Sequence, residues 1–139
     1  MTDLTLEERL AGKKTSVTLR IASKLITPDE ITNKLKLSPT RTFSMGDKIS
    51  SRSEGVRSEN LWCFEITEEG ILALENQLAR VVEILEEKAQ EIHELQQNCD
   101  VELFCGYFSA SGQAGFVLST ALLKRLSQTG VDLVFDVYT

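Results

Sequence analysis

The stretch ILALENQLARVVEILEEKAQEIHELQQ, residues 71–97, decides the fold of this chain. Its apolar residues recur every three or four positions, which is the spacing of one face of an α-helix. The residues of this apolar stripe are Ile71, Leu74, Leu78, Val81, Leu85, Ile92 and Leu95. Further apolar residues widen the stripe, and a wide stripe is typical of a helix that packs on a sheet.

The stripe has one interruption, because Lys88 stands where an apolar residue is expected. A straight helix of this length would measure about 40 Å, which exceeds the width of a small domain. We therefore expect either a kink or break between about Glu86 and Gln90, or a helix end that protrudes and contacts another subunit. If the end protrudes, Ile92 and Leu95 are uncovered and a homodimer should form.

The segments before and after the long helix are shorter and alternate apolar with polar residues, as strands do. Strands are predicted at residues 16–22, 40–45, 61–66, 101–108, 114–118 and 131–138. Two short helices begin at capping residues: Thr27 precedes Pro28–Leu35, and Ser119 precedes residues 120–128. Residues 46–60 are polar, so they are predicted to form a long loop or an exposed hairpin.

This order of elements predicts an α+β fold. A mostly antiparallel sheet should carry helices packed on one face, in a ferredoxin-like or related split β-α-β arrangement. Residues 1–14 are predicted to be an N-terminal leader, and residues 15–139 a single α+β domain. A chain of 139 residues is long enough to bury a hydrophobic core.

Composition excludes several classes of function. A net charge of −6 argues against non-specific nucleic-acid binding, because that binding needs clustered lysine and arginine. No apolar run is long enough to span a membrane, and we expect a cytoplasmic protein. Cys63, Cys99 and Cys105 are odd in number and lack CxxC spacing, so neither a disulfide framework nor a zinc site is expected.

The sequence contains no recognisable catalytic constellation. His93 is the single histidine, and it lies on the polar side of the long helix without convergent ligands. A catalytic triad would need the same residue. We therefore expect no metal, no cofactor and no catalytic residue, and we regard enzymatic activity as uncertain and less favoured than binding.

Two groups of residues are candidates for recognition. The first group would lie on the open face of the sheet and consists of Arg20, Arg41, Trp62, Asp136 and Tyr138. Tryptophan, tyrosine and arginine dominate binding hot spots, although Trp62 could instead be a core residue. The second group consists of Glu83, Glu87 and Glu91, on the polar face of the long helix, where an acidic surface could contact a protein partner.

Three features in a fixed order resemble a known family. They are ITPDEIT with LKLSPT at residues 26–40, Gly46 followed by Trp62, and the ending GVDLVFDVY at residues 130–138. This order resembles the family of uncharacterised bacterial proteins catalogued as domain of unknown function 4279. The resemblance extends over residues 16–139 and implies a common fold, but the family brings no assigned activity.

Two functional hypotheses follow. The first is a non-catalytic binding or interaction module, for example an immunity-like or regulatory protein that blocks a partner with its acidic helix. The alternative is a small-ligand binder or an enzyme that uses the open sheet face. A protein partner or a homodimer fits the first hypothesis, and neither hypothesis involves nucleic acid or a membrane.

Overall fold

The computed structural model describes residues 13–52, 54–66, 73–109 and 115–138. Its elements, in chain order, are β1 (Lys13–Ser23), α1 (Pro28–Leu35), β2 (Arg41–Phe43), β3 (Asn60–Glu65), α2 (Leu74–Glu87), α3 (Ala89–Leu95), β4 (Asp100–Ser109), α4 (Thr120–Thr129) and β5 (Asp132–Tyr138). β1 therefore begins two residues inside the segment predicted to be a leader. The rest of that segment lies outside the described residues.

The described strands form one sheet in the order β2-β3-β1-β4-β5. All neighbouring strands are antiparallel except β4 and β5, which are parallel and are joined through α4. The predicted α+β fold with a mostly antiparallel sheet is thus confirmed. The closer likeness to a ferredoxin-like arrangement stays an interpretation of this strand order.

The helices cover one face of the sheet, and the core lies between the two layers. Leu19 of β1 and Leu78 of α2 are completely buried there, and α2 packs directly on β1. Trp62 of β3 is also completely buried, and its Nε1 donates a hydrogen bond to Thr32 Oγ1 of α1 at 3.0 Å. The wide apolar stripe of the long helix is therefore a core-facing surface, as predicted.

The long helical stretch is broken at Lys88, where the backbone has φ −113° and ψ 29°. α2 ends at the residue before it and α3 begins at the residue after it. The predicted break is confirmed. The alternative of a protruding end is wrong, because Ile92 and Leu95 are only 3% and 6% exposed within the chain itself. They provide no surface for the dimer that was predicted from them.

Residues 46–52 and 54–57 fold back on each other as a hairpin, which we call the 46–57 hairpin. Gly46 N donates to Arg57 O at 2.8 Å, and Arg57 N donates to Asp47 O at 2.7 Å. Lys48 and Val56 form an antiparallel bridge further along. Gly46 has a φ of 93°, a left-handed conformation that glycine adopts without strain. Of the two alternatives predicted for this polar segment, the hairpin is the correct one.

The strand predicted at residues 114–118 is wrong for the described residues 115–118, which have no strand conformation. The hydroxyl of Tyr107 instead donates to Gly115 O at 2.8 Å and accepts from Gly115 N at 3.2 Å. A side chain of β4 therefore satisfies the backbone groups that a strand ladder would otherwise use.

Candidate functional site

A row of polar side chains crosses the open face of the sheet, opposite the helices. Strand register places one residue of this row on each strand: Arg41 on β2, Cys63 on β3, Arg20 on β1, Glu102 on β4 and Asp132 on β5. Arg41 and Arg20 are separated by one strand, so their Cα atoms lie roughly 10 Å apart. Long side chains at that spacing can reach a common ligand.

A third arginine joins these two from the 46–57 hairpin. The guanidinium of Arg57 lies 4.1 Å from the ring centre of Phe43, and the guanidinium of Arg20 lies 5.0 Å from the ring centre of Phe104. Such stacking fixes the plane of a guanidinium and leaves its N–H groups free to bind an anion. We call Arg20, Arg41 and Arg57 the arginine cluster.

Cys63 lies at the centre of the arginine cluster and is only 2% exposed. Burial raises the pKa of its thiol, while the charges of Arg41, Arg20 and Arg57 and a hydrogen bond from Arg41 oppose that rise. The net direction of the pKa is upward, so the thiol is neutral at pH 7. Cys63 therefore does not neutralise the positive charge around it.

The positive charge of the cluster is incompletely balanced. Arg20 Nη1 lies 3.6 Å from Glu102 Oε1, which is a long ion pair. Among the described residues, no carboxylate lies within 4.0 Å of Arg41 or Arg57. Arg57 Nε is buried and has no hydrogen-bond partner among the residues that the structure describes. A buried donor of this kind is normally satisfied, so its orientation suits an acceptor supplied from outside the chain.

A cavity of about 210 Å³ lies between the 46–57 hairpin and the sheet. Arg20 and Arg57 line it together with Glu59, and its apolar wall is formed by Ile49, Val56 and Leu61. A second, more open depression of about 630 Å³ shares Ser58 and Glu59 with it and extends around the end of the sheet to Asn98 and Asp100. The two depressions adjoin each other, and of the arginine cluster only Arg20 and Arg57 line the first of them.

The structure brings together two of the residues predicted for the open face and separates the others. Arg20 and Arg41 share the row described above. Asp136 and Tyr138 also lie on the open face, but on β5, where their side chains hydrogen-bond to each other. That bond raises the pKa of Tyr138. Asp136 lies two strands away from Arg20 and four residues further along its strand, so their Cα atoms are roughly 16 Å apart.

Trp62 does not belong to this surface. Its register partner is Ile21, whose side chain points into the core, so Trp62 lies on the helix-covered face. The prediction that Trp62 contributes to the open face is therefore corrected: a ligand on that face cannot reach it.

The acidic helix residues lie on both sides of the break at Lys88. Glu83 and Glu87 are exposed on α2, and Glu91 is half-buried on α3. Glu83 accepts a hydrogen bond from Arg80 at 3.4 Å. The neighbouring Glu86 is engaged more fully, since Arg125 contacts both of its carboxylate oxygens at 2.7 and 3.3 Å.

His93 is exposed on α3. Within the described parts of the chain, no group of three or more His, Cys, Asp or Glu side chains is arranged to hold a metal ion. The helices described for this chain include none that is both long and apolar enough to cross a membrane. Cys63, Cys99 and Cys105 are free and buried.

Sequence reasoning did not identify Arg57 or Cys63 as members of the site. Arg57 lies in the polar 46–57 hairpin. Its position over the sheet depends on contacts with other segments, such as its stacking on Phe43 of β2. Cys63 was considered only as a possible disulfide or zinc-site residue. The alternation of β3 was the available signal, because it places Cys63 opposite Trp62 and therefore on the open face.

Comparison with known proteins identifies a family but no characterised relative. The family model described as Domain of unknown function (DUF4279) matches residues 13–139. No curated protein and no solved structure matches the chain. Because the matched residues make up nearly the whole chain, the protein belongs to this family.

Proposed function

We propose that this member of the DUF4279 family is a non-catalytic binding module that holds a small anionic ligand on the open face of its sheet. The ligand carries a carboxylate or phosphate group, which Arg20 and Arg57 bind beneath the 46–57 hairpin and which Arg41 contacts from β2. The observation that carries this proposal is the convergence of Arg20, Arg41 and Arg57 from three separate chain segments, with no carboxylate of the described residues paired to the last two.

Bringing like charges together costs electrostatic energy. Three guanidinium groups close together repel one another, and an arrangement of this kind is stable when an anion lies between them. The planar fork of arginine matches carboxylate and phosphate oxygens in pairs. In a chain with a net charge of −6, such a cluster is a local exception to the overall charge.

Binding is better supported than catalysis at this position. The thiol of Cys63, which lies among the arginines, is buried and has a raised pKa, so it is not a reactive thiolate at neutral pH. The hydrophobic wall of the cavity instead suits the non-polar part of a small organic anion. The alternative of an enzyme on the open face is accordingly less favoured.

Isothermal titration calorimetry with two probes, inorganic phosphate and citrate, tests the proposal. Arg41→Gln and Arg57→Gln should each weaken binding about 10- to 100-fold, because hydrogen bonds to charged groups contribute about 1.5–3 kcal/mol. Arg52→Gln is the matched control, since Arg52 is exposed in the same hairpin. Failure of the wild type to bind either probe, or an equal loss in the control, would overturn the proposal.

The acidic helix is the second candidate surface, for an immunity-like or regulatory contact with a protein partner. It is supported by the exposure of Glu83 and Glu87 on the side of α2 that faces away from the sheet. Cross-linking mass spectrometry in the native host should then join a partner to α2, and the reversals E83K, E87K and E91K should abolish that cross-link. Cross-links that survive the reversals, or that map to the open face only, would reject this surface.

A cytoplasmic location remains our prediction from the sequence. Three cysteines that remain free fit a reducing compartment. Cell fractionation in the native host tests it, and recovery of the protein outside the cytoplasmic fraction would contradict it.

A further inference from the structure

We propose that the outer edge of β5 pairs antiparallel with β5 of a second copy of this chain, so that two sheets join into one. β5 is the last strand of the sheet, and no described strand pairs with its outer edge. An unpaired strand edge presents a row of backbone donors and acceptors that a further strand can complete. This inference is independent of the proposed anion site, which lies on the strands at the other end of the sheet.

The two edges of the sheet differ in how well they are protected. β2 has only three residues and follows closely after Pro39, and short strands and prolines discourage edge pairing. β5 has seven residues, DLVFDVY, and contains neither proline nor lysine. Its two aspartates lie on the open face, which leaves an apolar helix-side face at an unprotected edge.

An exposed apolar patch accompanies this edge. Phe135 and Val137 point to the helix-covered side of the sheet but remain 38% and 46% exposed. Phe116 stacks on Phe135 with ring centres 5.3 Å apart and is itself 42% exposed, and Val117 beside it is 74% exposed. Contiguous apolar surface of this kind marks an interaction site more often than scattered exposed residues do.

The sequence of β5 is self-complementary when two copies are paired antiparallel about Phe135. The facing pairs are then Phe135 with Phe135, Leu133 with Val137, Val134 with Asp136, and Asp132 with Tyr138. The apolar pairs fall on the helix side, and no carboxylate directly faces another carboxylate. This charge pattern favours a second copy of the same chain as the occupant of the edge.

Mass measurement by light scattering is the first test. The wild type should have twice the chain mass of 15.5 kDa, and Val137→Lys should have the monomer mass, because a buried lysine at the junction has no partner. Leu25→Lys is the control, since Leu25 is 72% exposed and lies away from β5. A monomeric wild type at its highest soluble concentration, or a dimeric Val137→Lys, would overturn the proposal.

Disulfide trapping tests the register and does not depend on the folding of the lysine variant. Facing residues in an antiparallel pair have Cα atoms about 4.5–5.5 Å apart, which a disulfide can span. Cys105 is the register partner of Phe135 on β4, so the trapping variants also carry Cys105→Ser, which removes a competing disulfide within one chain. In that background, oxidised Phe135→Cys should form a covalent dimer. Val137→Cys should not, because in this register the two copies of residue 137 are separated by roughly 13 Å. Equal trapping of both variants, or of neither, would contradict the arrangement.

Discussion

At the scale of single residues, Trp62 shows how neighbours decide the role of a side chain. An aromatic residue with a polar atom can serve a surface or a core equally well. The alternation of β3 put Trp62 on one face of the sheet, but only pairing with Ile21 shows that this is the covered face. Its indole N–H donates a hydrogen bond to Thr32 of α1, and the sequence alone did not indicate this contact.

Replacing Thr32 tests this buried hydrogen bond. Thr32→Val preserves the shape of the side chain but leaves the Trp62 N–H without an acceptor, which should lower the free energy of unfolding by about 1–3 kcal/mol. Thr32→Ser keeps the hydroxyl and serves as the control. Urea unfolding measures both variants, and equal stabilities for the two would show that the bond contributes nothing.

At the scale of elements, the starts of the two short helices were predicted correctly because their signals are local. The capping box of Thr27 and Glu30 and the cap at Ser119 are both present. The strand expected at residues 114–118 failed for a non-local reason. The backbone of Gly115 bonds to the hydroxyl of Tyr107 on β4 and not to a neighbouring strand. No apolar pattern within a short segment reveals a contact of this kind with a distant side chain.

Two helices end at a residue with left-handed backbone. We expect substitutions at these two positions to change the stability of the protein in opposite directions. Lys36 ends α1 with φ 55°, and Gly130 ends α4 with φ 70°. A residue with a Cβ atom costs roughly 1–2 kcal/mol in this conformation, partly offset by the greater unfolded-chain entropy of glycine. Lys36→Gly should therefore stabilise the protein slightly, and Gly130→Ala should destabilise it by about 1 kcal/mol. Thermal unfolding measures both, and a shift in the same direction for the two variants would refute the argument.

At the scale of the whole molecule, the class of fold followed from periodicity, but the site depends on strand order. Arg20 and Arg41 were chosen as surface arginines of separate strands. Their proximity arises because β3 lies between β1 and β2, and chain order does not determine that placement. Arg57 joins them through the fold-back of the hairpin. A site assembled from three distant segments cannot be found by motif spacing.

Acid stability reflects exposed ion pairs that join distant elements. Arg125 lowers the pKa of Glu86 below its ordinary value of 4.5 through a hydrogen bond, and Lys34, with Gln90, does the same for Glu94. A carboxyl whose pKa is lowered by folding contributes stability above its unfolded pKa and loses it as the pH falls through the folded pKa. The free energy of unfolding should therefore decrease below about pH 4.5.

Glu86→Gln should make the free energy of unfolding fall less steeply with decreasing pH. Glu87→Gln should leave that slope unchanged, because Glu87 has no hydrogen bond or ion pair within the described residues. Urea unfolding across a pH series measures both slopes. Identical slopes for Glu86→Gln and the wild type would contradict the assignment.

The claim that the open sheet face binds an anion is tested most directly by nuclear magnetic resonance of the unmodified chain. Inorganic phosphate or citrate is added while amide and arginine Nε–H signals are followed. We expect saturable shifts at the Nε–H of Arg57 and Arg20 and at the backbone of β2 and β3, with α2 and α4 unaffected. Shifts confined to other surfaces, or no saturable shift at the arginine cluster, would contradict it.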